Sequence, residues 1–174
     1  MQVNTILSSK FTGIIQLAIQ DESGLRDLQN QIIELYSEQQ PVPKLHCTLL
    51  HQSYPKKTTS NDGLRGDKAL KTLFKSGEQM AIELPSLTLD DVKIGFDLIK
   101  DRRSTYIEVS NPEACIVARN LILKAAGIDP VSLALEEPEA SRVFHISLTN
   151  LDGPSGASIA YPQAGDKKLK GIVA

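Results

Sequence analysis

Cysteine is scarce in this chain: 174 residues contain two, Cys47 and Cys115. Two cannot build a disulfide scaffold, and both fall at core-facing positions, so reduced, buried thiols are expected. Positive charge is not in excess either. A formal net charge of −2 argues against a protein that coats duplex DNA or an anionic membrane. A small or single-stranded nucleotide, held by a few local cations, stays open. No apolar run is long enough to span a bilayer. The N-terminal stretch lacks the basic flank and apolar core of a secretory signal. The expected compartment is the cytoplasm, or the host cytoplasm for a viral protein. No Gly-rich phosphate loop, Cys-x-x-Cys unit, His-x-x-x-His unit or Ser-His-Asp order is present.

What is present is an ordinary globular composition, 41% hydrophobic and 23% charged, in a chain long enough to bury a core. It fits one domain or two small lobes. Residues 1–10 read as a poorly packed lead-in. Phe11 to Ile19 is a β run. Glu22 to Gln39 places Leu25, Leu28, Ile32 and Leu35 on one helical stripe, with Asp21 or Ser23 as cap. Pro41 and Pro43 end that helix. Gln52 to Gly66 is polar and reads as an exposed loop, followed by a short helix from Asp67 to Lys75. Residues 79–110 alternate in patches, which predicts two or three antiparallel strands with a turn at Asp101-Arg102-Arg103-Ser104. Asn111-Pro112-Glu113 opens a second helix, with Cys115, Ala118, Ile122 and Ala125 on its stripe and Gly127 at its end. From Asp152 the chain has few core candidates. It reads as a flexible end, from about residue 155, or a cover over part of the fold.

Two short apolar runs each hold a histidine with a hydroxyl residue two positions later. They are Lys44-Leu45-His46-Cys47-Thr48-Leu49-Leu50 and Phe144-His145-Ile146-Ser147-Leu148-Thr149. In a strand, residues i and i+2 share a face. His46 and Thr48 therefore emerge together, as do His145 and Ser147. Leu45, Cys47, Leu49, Phe144, Ile146 and Leu148 point the other way, as a buried face requires. Each run also follows a strand–helix unit, so one pattern is used twice. That predicts an α+β fold of two pseudo-symmetric lobes, each an antiparallel sheet backed by a helix, around a central cleft.

The paired His46-Cys47-Thr48-Leu49 and His145-Ile146-Ser147-Leu148 motifs resemble the two-histidine (2H) phosphoesterase superfamily. That family includes RNA 2′,3′-cyclic phosphodiesterases, RNA-trimming exonucleases and phage enzymes that degrade cyclic oligonucleotide alarms. The resemblance implies a metal-independent phosphodiesterase with no cofactor, acting on an RNA-like or cyclic nucleotide phosphodiester. His46 and His145 would be the acid/base pair, and Thr48 and Ser147 would hold the phosphate. The residue types suit that chemistry. Imidazole titrates near neutrality, so one neutral and one protonated ring can coexist. Hydroxyls donate to non-bridging oxygens where charge develops.

Further candidates are weaker. Lys44 shares parity with His46 and could contact phosphate, or be a solvated lysine. Tyr54, on the loop after the first motif with Lys56 and Lys57, could stack a base. His51 has core-facing parity and reads as a strand-end residue. Tyr106 reads as a sheet residue, Arg102 and Arg103 as a solvated turn, Lys167 and Lys168 as a solvated tail. A zinc site drawn from His46, Cys47, His51, Cys115 and His145 conflicts with Cys47 facing away from His46. The alternative function is a nucleotide- or RNA-binding module that keeps the cleft without turnover. No membrane or duplex DNA partner is expected.

Overall fold

The computed structural model describes residues 1–8, 11, 13–50, 64–76, 82–97, 102–132, 140–151 and 162–174. In chain order its elements are β1 (Gln2–Val3), β2 (Thr5–Leu7), β3 (Ile15–Ile19), α1 (Ser23–Leu35), β4 (Gln40–Pro41), β5 (His46–Leu50), α2 (Leu64–Ser76) and β6 (Leu87–Asp97). There follow β7 (Arg102–Val109), α3 (Pro112–Ala125), a 3₁₀ turn at Pro130–Ser132, β8 (His145–Asn150) and β9 (Lys167–Lys168). The strands form one antiparallel sheet in the order β1-β6-β7-β8-β5-β3-β2, with β4 beside β8 and β9 beside β6. The class is α+β, as the alternating patches and helical stripes predict.

β1 and β2 lie at opposite ends of this order, yet only Asn4 separates them in the chain. The sheet therefore curls until its ends nearly meet. Asn4 bridges the two: its carbonyl accepts from Gln20 N–H at 2.9 Å and its Oδ1 from the Ser86 hydroxyl at 2.7 Å. This corrects the expectation of a loose lead-in. Val3, Thr5 and Leu7 alternate inward and are buried, so the short strands are held by burial on one face.

β3–α1–β5 and β7–α3–β8 repeat one pattern, and in each the two strands pair with each other. The histidine strands β5 and β8 pair at the centre. Each helix reaches the histidine strand of the other unit. On α1, the buried Gln29 donates through Nε2 to Leu148 O at 2.7 Å. On α3, Cys115 meets Cys47 of β5 with its sulfurs 3.9 Å apart. Both thiols are free and buried. The Cys115 contact, then burial, push the Cys47 thiol up, so it stays protonated.

The helical stripes are borne out at Leu25, Leu28, Ile32, Cys115, Ala118 and Ile122, all buried. Leu35 is a correction, being 55% exposed. The helix stops there because the chain turns away at Tyr36 and runs into β4, with Gln39 buried against Thr149. Ala125 is also exposed. Asn111 does not cap α3 through its side chain; its Oδ1 accepts from Thr88 N–H at 2.7 Å instead. Gly127 follows α3 with φ +76°, the left-handed conformation that ends a helix. α2 starts at Leu64, earlier than expected, while Gly77 and residues 51–63 lie outside the described residues. Arg102 to Ser104 belong to β7, not to a turn, because they pair with Gly95 to Asp97 of β6.

The C-terminal residues 162–174 are a cover, not a loose end. Lys167 and Lys168 pair with Ile94 and Lys93, Leu169 N–H donates to Val92 O at 2.8 Å, and the Leu169 side chain is buried. Gln31 of α1 bonds the backbone of Val173 twice, at 3.0 and 3.2 Å. Among the described residues, no helix is long and apolar enough to cross a membrane.

Candidate active site

One row of the sheet shows how the site is built. Leu17, Cys47, Ile146, Ile107 and Val92 are successive partners across β3, β5, β8, β7 and β6. All five are buried, so this row faces the core. Side chains alternate along each strand, so the flanking rows face the other way. Because Cys47 pairs with Ile146 in an antiparallel ladder, His46 stands opposite Ser147 and Thr48 opposite His145. Opposite residues share a face, with Cβ atoms about 4.5–5.5 Å apart. The four motif residues thus form one patch on the face away from the core, and each hydroxyl meets the other motif's histidine.

The register also gives the patch its flanks. On β3, Ala18 is opposite His46 and Gln16 opposite Thr48. On β7, Glu108 is opposite His145 and Tyr106 opposite Ser147. Ala18 thus holds beside His46 the place that Glu108 holds beside His145, and Gln16 beside Thr48 the place that Tyr106 holds beside Ser147. The histidine environments are alike in backbone and unlike in neighbours.

Both imidazoles are tied down in the same way. His46 Nδ1 lies 3.0 Å from Lys44 O, and His145 Nδ1 lies 2.9 Å from Val143 O. A carbonyl only accepts, so Nδ1 carries the proton in each ring. Nε2 is then the atom that can take or give a proton. Both rings are half-buried. Burial lowers the His46 pKa below 6.5, with the Lys44 carbonyl opposing. Burial lowers His145 as well; the Val143 carbonyl opposes, the Arg142 and His46 charges add to the drop, and Glu108 offsets part of it. The His46 charge disfavours a second proton on His145, so the pair takes up its protons one at a time, and on the acid side of 6.5.

The structure thus brings together His46, Thr48, His145 and Ser147, all named from the sequence. Lys44 reaches the site through its carbonyl, while its side chain is exposed. Tyr54, His51, Lys56 and Lys57 lie outside the described residues. Cys47 and Cys115 sit on the core side, so they share no face with the histidines. No group of three or more His, Cys, Asp or Glu side chains suited to a metal occurs among the described residues.

Sequence reasoning undervalued Tyr106 and missed Gln16, Glu108 and Asp166. Tyr106 is 1% exposed, stands edge-on to the His145 ring with centroids 5.5 Å apart, and donates its hydroxyl to Asp166 Oδ2 at 2.7 Å. Glu108 forms an ion pair with Lys93. Strand parity was the available signal for Gln16 and Glu108; nothing in the sequence points to Asp166.

Comparison of the chain with protein-family models, curated proteins and solved structures returned no match.

Proposed function

We propose that the chain is a phosphodiesterase of the two-histidine type, with two pseudo-symmetric lobes meeting at the β5–β8 seam. The observation that carries this reading is the patch of His46, Thr48, His145 and Ser147, with both Nδ1 atoms held by carbonyls. A phosphodiester needs a base for the attacking oxygen and an acid for the leaving oxygen. A neutral imidazole takes the proton through Nε2, and its protonated partner gives one through Nε2. The attacker is water at a cyclic phosphate, or a ribose 2′-hydroxyl that yields one. Thr48 and Ser147 donate to the non-bridging oxygens as charge builds up there. The proton balance closes with the two rings exchanging states, and no metal step is needed. The substrate class is an RNA-like or cyclic nucleotide phosphodiester: a 2′,3′-cyclic end in RNA processing, or a cyclic oligonucleotide of the kind phage enzymes degrade.

The test is a turnover screen in the presence of a chelator. RNAs with 2′,3′-cyclic ends, short linear RNAs and cyclic di- and trinucleotides are offered to the wild type and to the His46→Ala/His145→Ala double variant. Cleavage by the wild type alone supports the reading, and the substrate consumed names the branch. Binding of one substrate with no product from any would replace it with the binding-module alternative.

A further inference from the structure

Tyr106 heads the fully buried side chains by volume, yet it lies outside the apolar core cluster. It sits on the histidine face, opposite Ser147 on one side and Lys93 on the other. Its ring stands edge-on to His145 at 5.5 Å. Its hydroxyl is bound to Asp166, whose Oδ2 also accepts from Gln163 N–H at 2.9 Å. Asp166 arrives on the C-terminal segment, which β9 and Leu169 fasten to β6. Gly95 leaves room for the pair. A Cβ at that position would come within 3.1 Å of Asp166 Oδ2 and 3.2 Å of Tyr106 Cε1. Burial, then the Asp166 contact, push the Tyr106 ionisation well up, so the hydroxyl remains a donor throughout the working range.

Among the described residues, no such device stands beside the first motif. Gln16 takes the place of Tyr106 beside the first motif. His46 and His145 share the Nδ1–carbonyl bond, but among the described residues only His145 has an aromatic ring against it. A ring held at Nδ1 by one carbonyl still rocks about that bond. An immobile edge beside it removes that freedom and fixes where Nε2 points.

We propose that Tyr106 is a positioning residue for His145, and that Asp166 locks Tyr106, which makes the C-terminal segment 162–174 a working part of the site. This rests on the catalytic reading of His145. It adds to that reading a chain of contacts from a terminal cover to one imidazole: Asp166 carboxylate, Tyr106 hydroxyl and ring, His145 ring. Loss of the cover unlocks one of the two histidines and leaves the other as it was.

The test uses the full chain with Tyr106→Phe, Asp166→Ala and Tyr106→Leu. Imidazole nitrogen NMR without substrate reports tautomer and pKa for each histidine. The expected result is a mixed tautomer, with both ring nitrogens partly protonated, at His145 in Asp166→Ala and Tyr106→Leu, with His46 unchanged. On a cleaved substrate, kcat falls about tenfold while KM holds within about twofold. Tyr106→Phe, which keeps the ring and removes the same hydroxyl–carboxylate bond, gives the same change as Asp166→Ala. A His145 spectrum unchanged in Asp166→Ala and Tyr106→Phe overturns the proposal, as does an equal change at His46, which would mean general loosening. These two variants decide the matter even if Tyr106→Leu does not fold. If the wild type cleaves nothing, the proposed function fails, while the spectra still judge the contact chain on their own.

Discussion

Cys47 stands directly opposite Ile146 in the antiparallel pair that joins the two histidine strands. Both are fully buried. That one pairing sets the candidate site, because it places each histidine across from the hydroxyl of the other motif. A slip of one residue in either strand would send its histidine into the core. The apolar row from Leu17 to Val92 holds the register by burial. The polar patch depends on it without contributing much to it.

Thr48 and Ser147 are therefore expected to act on the transition state and little on the fold. Both are half-exposed, so Thr48→Val and Ser147→Ala should leave thermal unfolding within a few degrees of wild type. Each should lower kcat by about 10²-fold, the usual scale for removing a donor to developing charge. Steady-state kinetics checks this; a rise in KM with kcat retained would assign the hydroxyls to ground-state binding instead.

Thr149 marks the opposite case, a hydroxyl that serves the fold. It is 0% exposed, lies 2.6 Å from the Thr105 hydroxyl and donates to Gln39 Oε1 at 2.7 Å. Thr149→Val keeps the shape and removes the hydroxyl that joins those two side chains. The expected cost is about 1–3 kcal/mol in urea unfolding, with turnover per folded molecule unchanged. No measurable loss of stability would show that the network contributes nothing net.

The two imidazoles should make the fold sensitive to mild acid. Both pKa values are lowered by burial. Above the ordinary value near 6.5 both states hold neutral rings, and the shifts have no effect. As pH falls from there toward the folded values, the unfolded chain binds protons that the folded chain resists, so stability drops. The loss sets in below about pH 6.5 and ends once the folded-state value of each ring is passed, with a slope of at most about 1.4 kcal/mol per pH unit for each ring. The His46→Ala/His145→Ala variant should flatten it. Equal slopes in the two proteins would contradict the shifts. The same shifts put the maximum of the pH–rate profile on the acid side of 6.5.

Much of this was legible in the sequence for a physical reason. Alternation with period two marked β5 and β8 and told which residues of each face inward, because one face of each strand is packed. The stripes on α1 and α3 were equally clear. Leu35 leaves its stripe because the helix ends there and the chain departs at Tyr36 toward β4, a course with no local signature. Val3, Thr5 and Leu7 alternate too, but across strands too short to stand out. Least legible was the pairing of Cys47 with Ile146, since either motif alone gives parity and not partners. Asp166 was invisible for the same reason: its role depends on where a distant tail crosses the sheet.

The most direct test compares His46→Ala and His145→Ala singly, on folded protein, with two substrates of one phosphodiester type: one with the natural leaving alcohol and one with an activated leaving group such as nitrophenolate. An acid is dispensable when the leaving group needs no proton, while a base is not. The account predicts that both variants lose about 10²-fold or more on the natural ester, and that one of them alone recovers on the activated one. Near-wild-type turnover of the natural ester by either variant would contradict it.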